Sequence, residues 1–127
     1  MECRGRKTNK KLIILILCLM LLCGCTKSFE IKNPVKVTIQ RAEDYIEITD
    51  ADTISKLTAQ ITSMTFKRGE SSKNMTGWDY WLIWYDENGD PIFNAYISPQ
   101  SIDYNGRFWI CENGTINTAY YDELLDG

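Results

Sequence analysis

The chain has 127 residues, of which 44% are apolar, 24% charged and 12% aromatic, a mixture that excludes collagen-like, low-complexity and wholly disordered proteins. Histidine is absent, so mechanisms that need imidazole as base, acid, shuttle or metal ligand are excluded with it. The formal net charge of −3 divides unevenly along the chain, with a basic beginning and an acidic remainder.

Arg4, Arg6, Lys7, Lys10 and Lys11 form the basic opening, and an uncharged run from Leu12 to Leu22 follows. As a helix that run would reach only ~17 Å, about half of a bilayer's ~30 Å hydrocarbon layer. A basic segment, a short apolar run and small residues beside a cleavage point describe an export signal. Here the run closes on Leu22-Cys23-Gly24-Cys25. These four residues resemble the lipobox of bacterial lipoproteins, in which the cysteine after the cut receives a diacylglyceryl group and becomes the new N-terminus. The resemblance implies that residues 1–24 are a signal peptide with Leu22, Cys23 and Gly24 as its cleavage motif. It also implies that Cys25 carries the lipid through a thioether, and that the protein is held at the extracytoplasmic face of the cell membrane. One acyl chain holds a protein only marginally, whereas two or more give durable attachment.

Removal of that leader would leave 103 residues, enough for one domain with a single small core. Cys3, Cys18 and Cys23 would leave with it and Cys25 would be consumed by lipid, so Cys111 would stand alone without a disulfide partner. An exported domain of that kind must be stabilised by packing, which suits a Gram-positive surface lipoprotein better than a disulfide-dense module. The leader also takes five bases and Glu2, which leaves nine bases against sixteen acids, a net charge of −7. Nucleic acid is therefore not expected as a partner.

Residues 25–34 read as a lipidated N-terminus and short link, and 35–127 as one domain. Alternation in Val35-Lys36-Val37-Thr38-Ile39 and in Tyr45-Ile46-Glu47-Ile48-Thr49 predicts a two-stranded hairpin. Asp50 is placed to cap a helix, with Asp52 in its first turn and Ile54, Leu57, Ile61 and Met64 on one face. Met64 to Lys67 is predicted as a strand and Arg68 to Gly77 as a loop. Three hairpin turns then define a meander: Asn88-Gly89 joins Trp78–Asp86 to Ile92–Ser98, Ser98-Pro99-Gln100-Ser101 turns the chain again, and Asn105-Gly106 joins Ile102–Tyr104 to Arg107–Cys111. Ala119 to Leu125 is predicted as a short helix capped by Asn117 or Thr118.

Two-residue loops at both Asn-Gly pairs fix a register, because opposed residues share a side of the sheet. One side collects Leu82, Trp84, Phe93, Ala95, Ile97, Ile102, Tyr104, Trp109 and Cys111, and should meet the helix stripe. The other collects Trp81, Ile83, Tyr85, Ile92, Asn94, Tyr96, Asp103, Phe108 and Ile110, an aromatic surface with polar tips that suits partial exposure or a ligand. The expected fold class is α+β, a twisted antiparallel sheet on one principal helix with a short C-terminal helix. The order of hairpin, helix and meander from about Val35 to Leu125 resembles small, largely uncharacterised lipoproteins of Gram-positive bacteria, which implies this fold and surface attachment and no catalytic residue.

Candidate chemistries compete with structural roles. Asp86, Asn88 and Asp90 imitate the first ligands of a calcium loop, but Pro91 replaces the required glycine and Ile97 stands where the bidentate Glu belongs, so a plain turn is expected. Serine lacks both histidine and a nucleophile-elbow or Ser-x-x-Lys motif. Cys111, on the expected core face, reads as an inert thiol. No cofactor, metal or catalytic residue is expected. The expected function is a membrane-anchored binding domain that presents Trp81, Tyr85, Asn94 and Tyr96 to a protein or an envelope glycan. The competing readings are an inhibitor or immunity-type lipoprotein that intercepts an exogenous protein, and a carboxylate-based envelope hydrolase.

Overall fold

The computed structural model describes residues 26–71 and 79–127, so Leu22, Cys23, Gly24 and Cys25, together with the leader reading, lie outside the described residues, as does Trp78. Within them the elements run β1 Thr26–Lys27, β2 Lys36–Arg41, β3 Asp44–Ile48, α1 Ala51–Thr62, β4 Phe66–Ser71, β5 Tyr80–Tyr85, β6 Pro91–Ser98, β7 Ser101–Tyr104, β8 Arg107–Cys111 and α2 Ala119–Asp126. The eight strands form one sheet in the order β1-β4-β8-β7-β6-β5-β2-β3, with every neighbouring pair antiparallel. The fold is α+β.

The sheet has one covered side. Val37, Ile39, Leu82, Trp84, Phe93, Ala95, Ile97 and Ile102 are buried there, beneath Ile54, Leu57 and Ile61 of α1 and Tyr121 of α2. The α1 helix starts where expected: the Asp50 carboxylate accepts hydrogen bonds from the Thr53 amide at 2.9 Å and the Thr53 hydroxyl at 2.7 Å. Those bonds hold the Asp50 carboxyl below the usual carboxylate range. The Trp84 indole donates to Thr58 Oγ1 at 3.0 Å, which gives its one polar atom a partner inside the core. Thr118 occupies the capping position of α2 but makes no capping bond through its side chain.

The meander follows the predicted register in its interior, with Leu82 opposite Ala95, Trp84 opposite Phe93, Ile97 opposite Ile102 and Tyr104 opposite Arg107. Asn105 and Gly106 both take positive φ (55° and 74°), as a type I′ turn requires. The other Asn-Gly turn differs from expectation. Its loop spans Glu87, Asn88 and Gly89: the Gly89 amide donates to the Asp86 carbonyl, the Asp86 amide to the Asp90 carbonyl, and only Gly89 takes positive φ, at 82°. A compensating bulge follows, in which Trp84 still faces Phe93 but Tyr85 faces Pro91. Ile92, expected on the second side, is the extra residue and packs against the core.

Two further expectations need correction. The predicted strand at Met64–Lys67 begins later and runs further, to Ser71, because β4 pairs with the otherwise open side of β8; Gly69 sits at a bulge there, where a Cβ would lie 2.9 Å from the Phe108 ring. The supposed link after Cys25 is part of the domain. Thr26 and Lys27 pair with Lys67 and Phe66, and the chain then crosses the covered side of the sheet with Phe29 and Ile31 buried. The ring of Phe29 stands edge-on to Phe66, Phe93, Tyr104 and Trp109, with centroids 5.1 to 5.9 Å apart. An apolar strap over a sheet face that α1 leaves uncovered removes that face from water, which is the physical reason the segment folds.

Candidate functional site

Both helices and the strap lie on one side of the sheet, and the other side forms the candidate surface. Cross-strand pairing lines up Tyr45, Gln40, Trp81, Tyr96, Asp103 and Phe108 in a single row over six adjacent strands. At ~4.8 Å per strand the row is roughly 24 Å long. Tyr45 is 54% exposed and Tyr96 39% exposed, whereas Trp84 and Phe93, one residue out of phase, are 0% and 4% exposed. Trp81 lies between these limits, half-buried beside its neighbours.

Three of the four residues singled out from the sequence come together. Trp81 and Tyr96 face each other across β5 and β6 with rings stacked at 5.4 Å and 15°. The Trp81 indole donates a hydrogen bond to Oδ1 of the exposed Asn94 side chain. Tyr85 shares the face but stands apart, four residues along β5 from Trp81, or ~13 Å. Its ring lies under the Lys36 ammonium at 4.4 Å. Tyr45 donates to Glu47 at 3.2 Å, and burial together with that bond raises its phenol above the ordinary value.

The sequence pointed to the meander's share of this face and missed the hairpin's share. Gln40 and Tyr45 join the row only because β2 pairs with β5, a contact between segments some forty residues apart that no local alternation reveals. The period-two signal in the first hairpin ran from Val35 to Ile39 and stopped short of Gln40, and it did not say against which neighbour the strand pairs.

Elsewhere several titratable groups serve the fold. The Asp86 carboxylate, first in the calcium-like series, accepts from the amides of Asn88 at 2.9 Å and Asp90 at 3.0 Å, and so closes its own turn. Among the described residues no group of three or more Cys, Asp or Glu is arranged to hold a metal ion. Arg41 ties β2 to the end of α2, bonding Asp44 and Asp122 at 2.7 Å and Asp126 at 2.9 Å. Tyr80 donates to the same Asp122 oxygen at 2.7 Å; these two donors, Tyr80 first, hold the Asp122 carboxyl below the usual range. Burial and the Asp122 charge push the Tyr80 phenol up to about 12. Cys111 is half-buried beside the core, and burial raises its thiol, which makes it a poorer nucleophile at neutral pH.

Two clefts lie away from the aromatic row. One of about 380 Å³ runs between Asn33-Pro34 and the Ala51, Ser55 and Thr58 side of α1, and one of about 410 Å³ lies beside the β5–β6 turn at Lys32, Val35 and Asp86. Among the described residues no helix is long and apolar enough to cross a membrane. Compared with known proteins, the chain matches no family model, no curated protein and no solved structure.

Proposed function

We propose that the chain is a lipoprotein anchored through Cys25 at the extracytoplasmic face of the cell membrane, and that its domain binds a partner protein on the helix-free side of the sheet without catalysing a reaction. One observation carries the binding part: among the described residues Tyr45 and Tyr96 stand exposed, with Trp81 and Phe108 half-buried in the same row, on a sheet whose opposite side is covered by two helices and a strap. Rigid aromatic side chains bury much area at little entropic cost, and a row of this length suits an extended protein surface. The mutual stacking of Trp81 and Tyr96 covers one face of each ring, which favours that partner over a single sugar ring laid flat. The engagement of Asp50, Asp86 and Asp122 in caps, turns and ties supports a binder over a carboxylate hydrolase.

The binding part is tested in intact cells with a photoreactive residue in place of Tyr96, and another in place of Ser55 on α1. A discrete protein adduct from position 96, absent from position 55 and lost in Trp81→Ala, is the expected result. Equal adducts from both sides, or indifference to Trp81→Ala, would overturn it, and glycan adducts would replace the protein partner with envelope polysaccharide. For the anchor, Cys25→Ala should release the protein from membranes and abolish lipid labelling. Full membrane retention without any label in the unaltered chain would refute lipidation.

A further inference from the structure

We propose that the β1–β4–β8 edge of the sheet is a contact surface for an anionic lipid leaflet, so that the domain stands upright on the membrane with its aromatic side facing sideways. This rests on the anchored reading above and deepens it.

The chain enters the domain without a spacer. Residue 25 directly precedes Thr26, and Thr26 already pairs with Lys67 of β4. One residue spans at most ~3.6 Å, so a lipid on Cys25 would bring this edge to the headgroups.

Charge points the same way. From residue 26 onward the chain has nine bases and sixteen acids, yet β1, β4 and β8 hold Lys27, Lys67, Arg68 and Arg107 against Glu70 alone. Lys67 and Arg68 are exposed, and among the described residues neither enters a salt bridge. The Lys27 ammonium is held at this edge, 5.3 Å from the Phe29 ring centre and 5.5 Å from that of Trp109. Arg107 reaches the Gly69 carbonyl at 3.4 Å and so stays on the same rim. The opposite edge is the acidic one. Glu43, Asp44 and Glu47 of the first hairpin lie there with Asp122, Glu123 and Asp126 of α2, and Arg41 is absorbed among them. A leaflet that attracts one edge repels the other, so charge fixes an orientation and not merely an affinity. Each base near an anionic leaflet strengthens association roughly fivefold, within a Debye length of the surface.

The test uses the full-length chain, expressed in a bacterium and reconstituted into vesicles of neutral phosphatidylcholine alone or with phosphatidylglycerol, followed by amide hydrogen exchange. On anionic vesicles the amides of β4 and the start of β8 should exchange on the order of tenfold more slowly than on neutral ones, with β3 and α2 unchanged. Lys67→Glu with Arg68→Glu should abolish the difference while the protein still floats with the vesicles, and Lys56→Glu on α1 should leave it intact. Equal exchange on both vesicle types with floating retained would overturn the orientation and spare the anchor. Flotation on anionic vesicles alone, by a chain whose intact mass shows no lipid, would refute the anchor and support the edge. Failure to float on either would overturn both. The same protection induced by soluble polyphosphate would assign the edge to polyanions at large and overturn the lipid commitment.

Discussion

Phe29→Ala is the sharpest test of whether the segment after Cys25 belongs to the folded domain. Phe29 is 6% exposed and its ring meets Phe66, Phe93, Tyr104 and Trp109 edge-on within 5.9 Å. Truncating a core phenylalanine costs ~3–5 kcal/mol, and each lost edge-to-face pair is worth ~0.5–1.5 kcal/mol within that figure. A value near 4 kcal/mol is a large share of the ~5–15 kcal/mol that stabilises a domain of this size. It corresponds to a fall in melting temperature of ~15–30 °C. Urea denaturation followed by far-ultraviolet circular dichroism measures the change, with the dependence on urea unaltered. Lys32→Ala, at an exposed position of the same segment, should stay within ~0.5 kcal/mol. A loss below ~1 kcal/mol for Phe29→Ala would refute the packing of the strap and restore a free linker.

Ala42 turns the β2–β3 hairpin at φ 52°, where a Cβ is unfavourable, so Ala42→Gly should stabilise the domain by ~0.5–1 kcal/mol in the same urea assay. Trp84→Phe loses the bond to Thr58 and leaves a void, and should cost ~2 kcal/mol. Tyr80 titrates above its unfolded value of ~10, so its contribution is complete below that pH and disappears as pH rises through about 12. Absorbance at 295 nm should show at least one tyrosine ionising only together with alkaline unfolding, and a tyrosinate rise complete by pH 11 with the fold intact would contradict this. Asp122 titrates below its unfolded value of ~3.9, so its contribution is present above that pH and is lost as pH falls through the lower folded value. Asp122→Asn should flatten the acid limb of a urea-midpoint profile between pH 5 and pH 2, and an unchanged limb would refute the role of its two donors.

The sequence by itself determined what local physics decides. Alternation at period two put Trp84 and Phe93 on one side and Trp81 and Tyr96 on the other, and Asn105-Gly106 pointed to its turn because both residues accept positive φ at little strain. The Asp50 cap and the Ile54, Leu57 and Ile61 stripe followed from helical spacing in the same way. The tertiary structure decided the contacts between distant segments: that β2 pairs with β5 and extends the aromatic row to Gln40 and Tyr45, that β4 closes on β8, and that Phe29 enters a nest of rings drawn from β4, β6, β7 and β8. Arg41 shows the difference most plainly: along the chain it follows Lys27, Lys32 and Lys36 with only Glu30 among them, but in the fold it is the centre of an acidic corner. Local patterns report which way a side chain faces, whereas the partner it meets depends on loop closures whose cost grows only slowly with length, so the sequence near one strand does not identify the other.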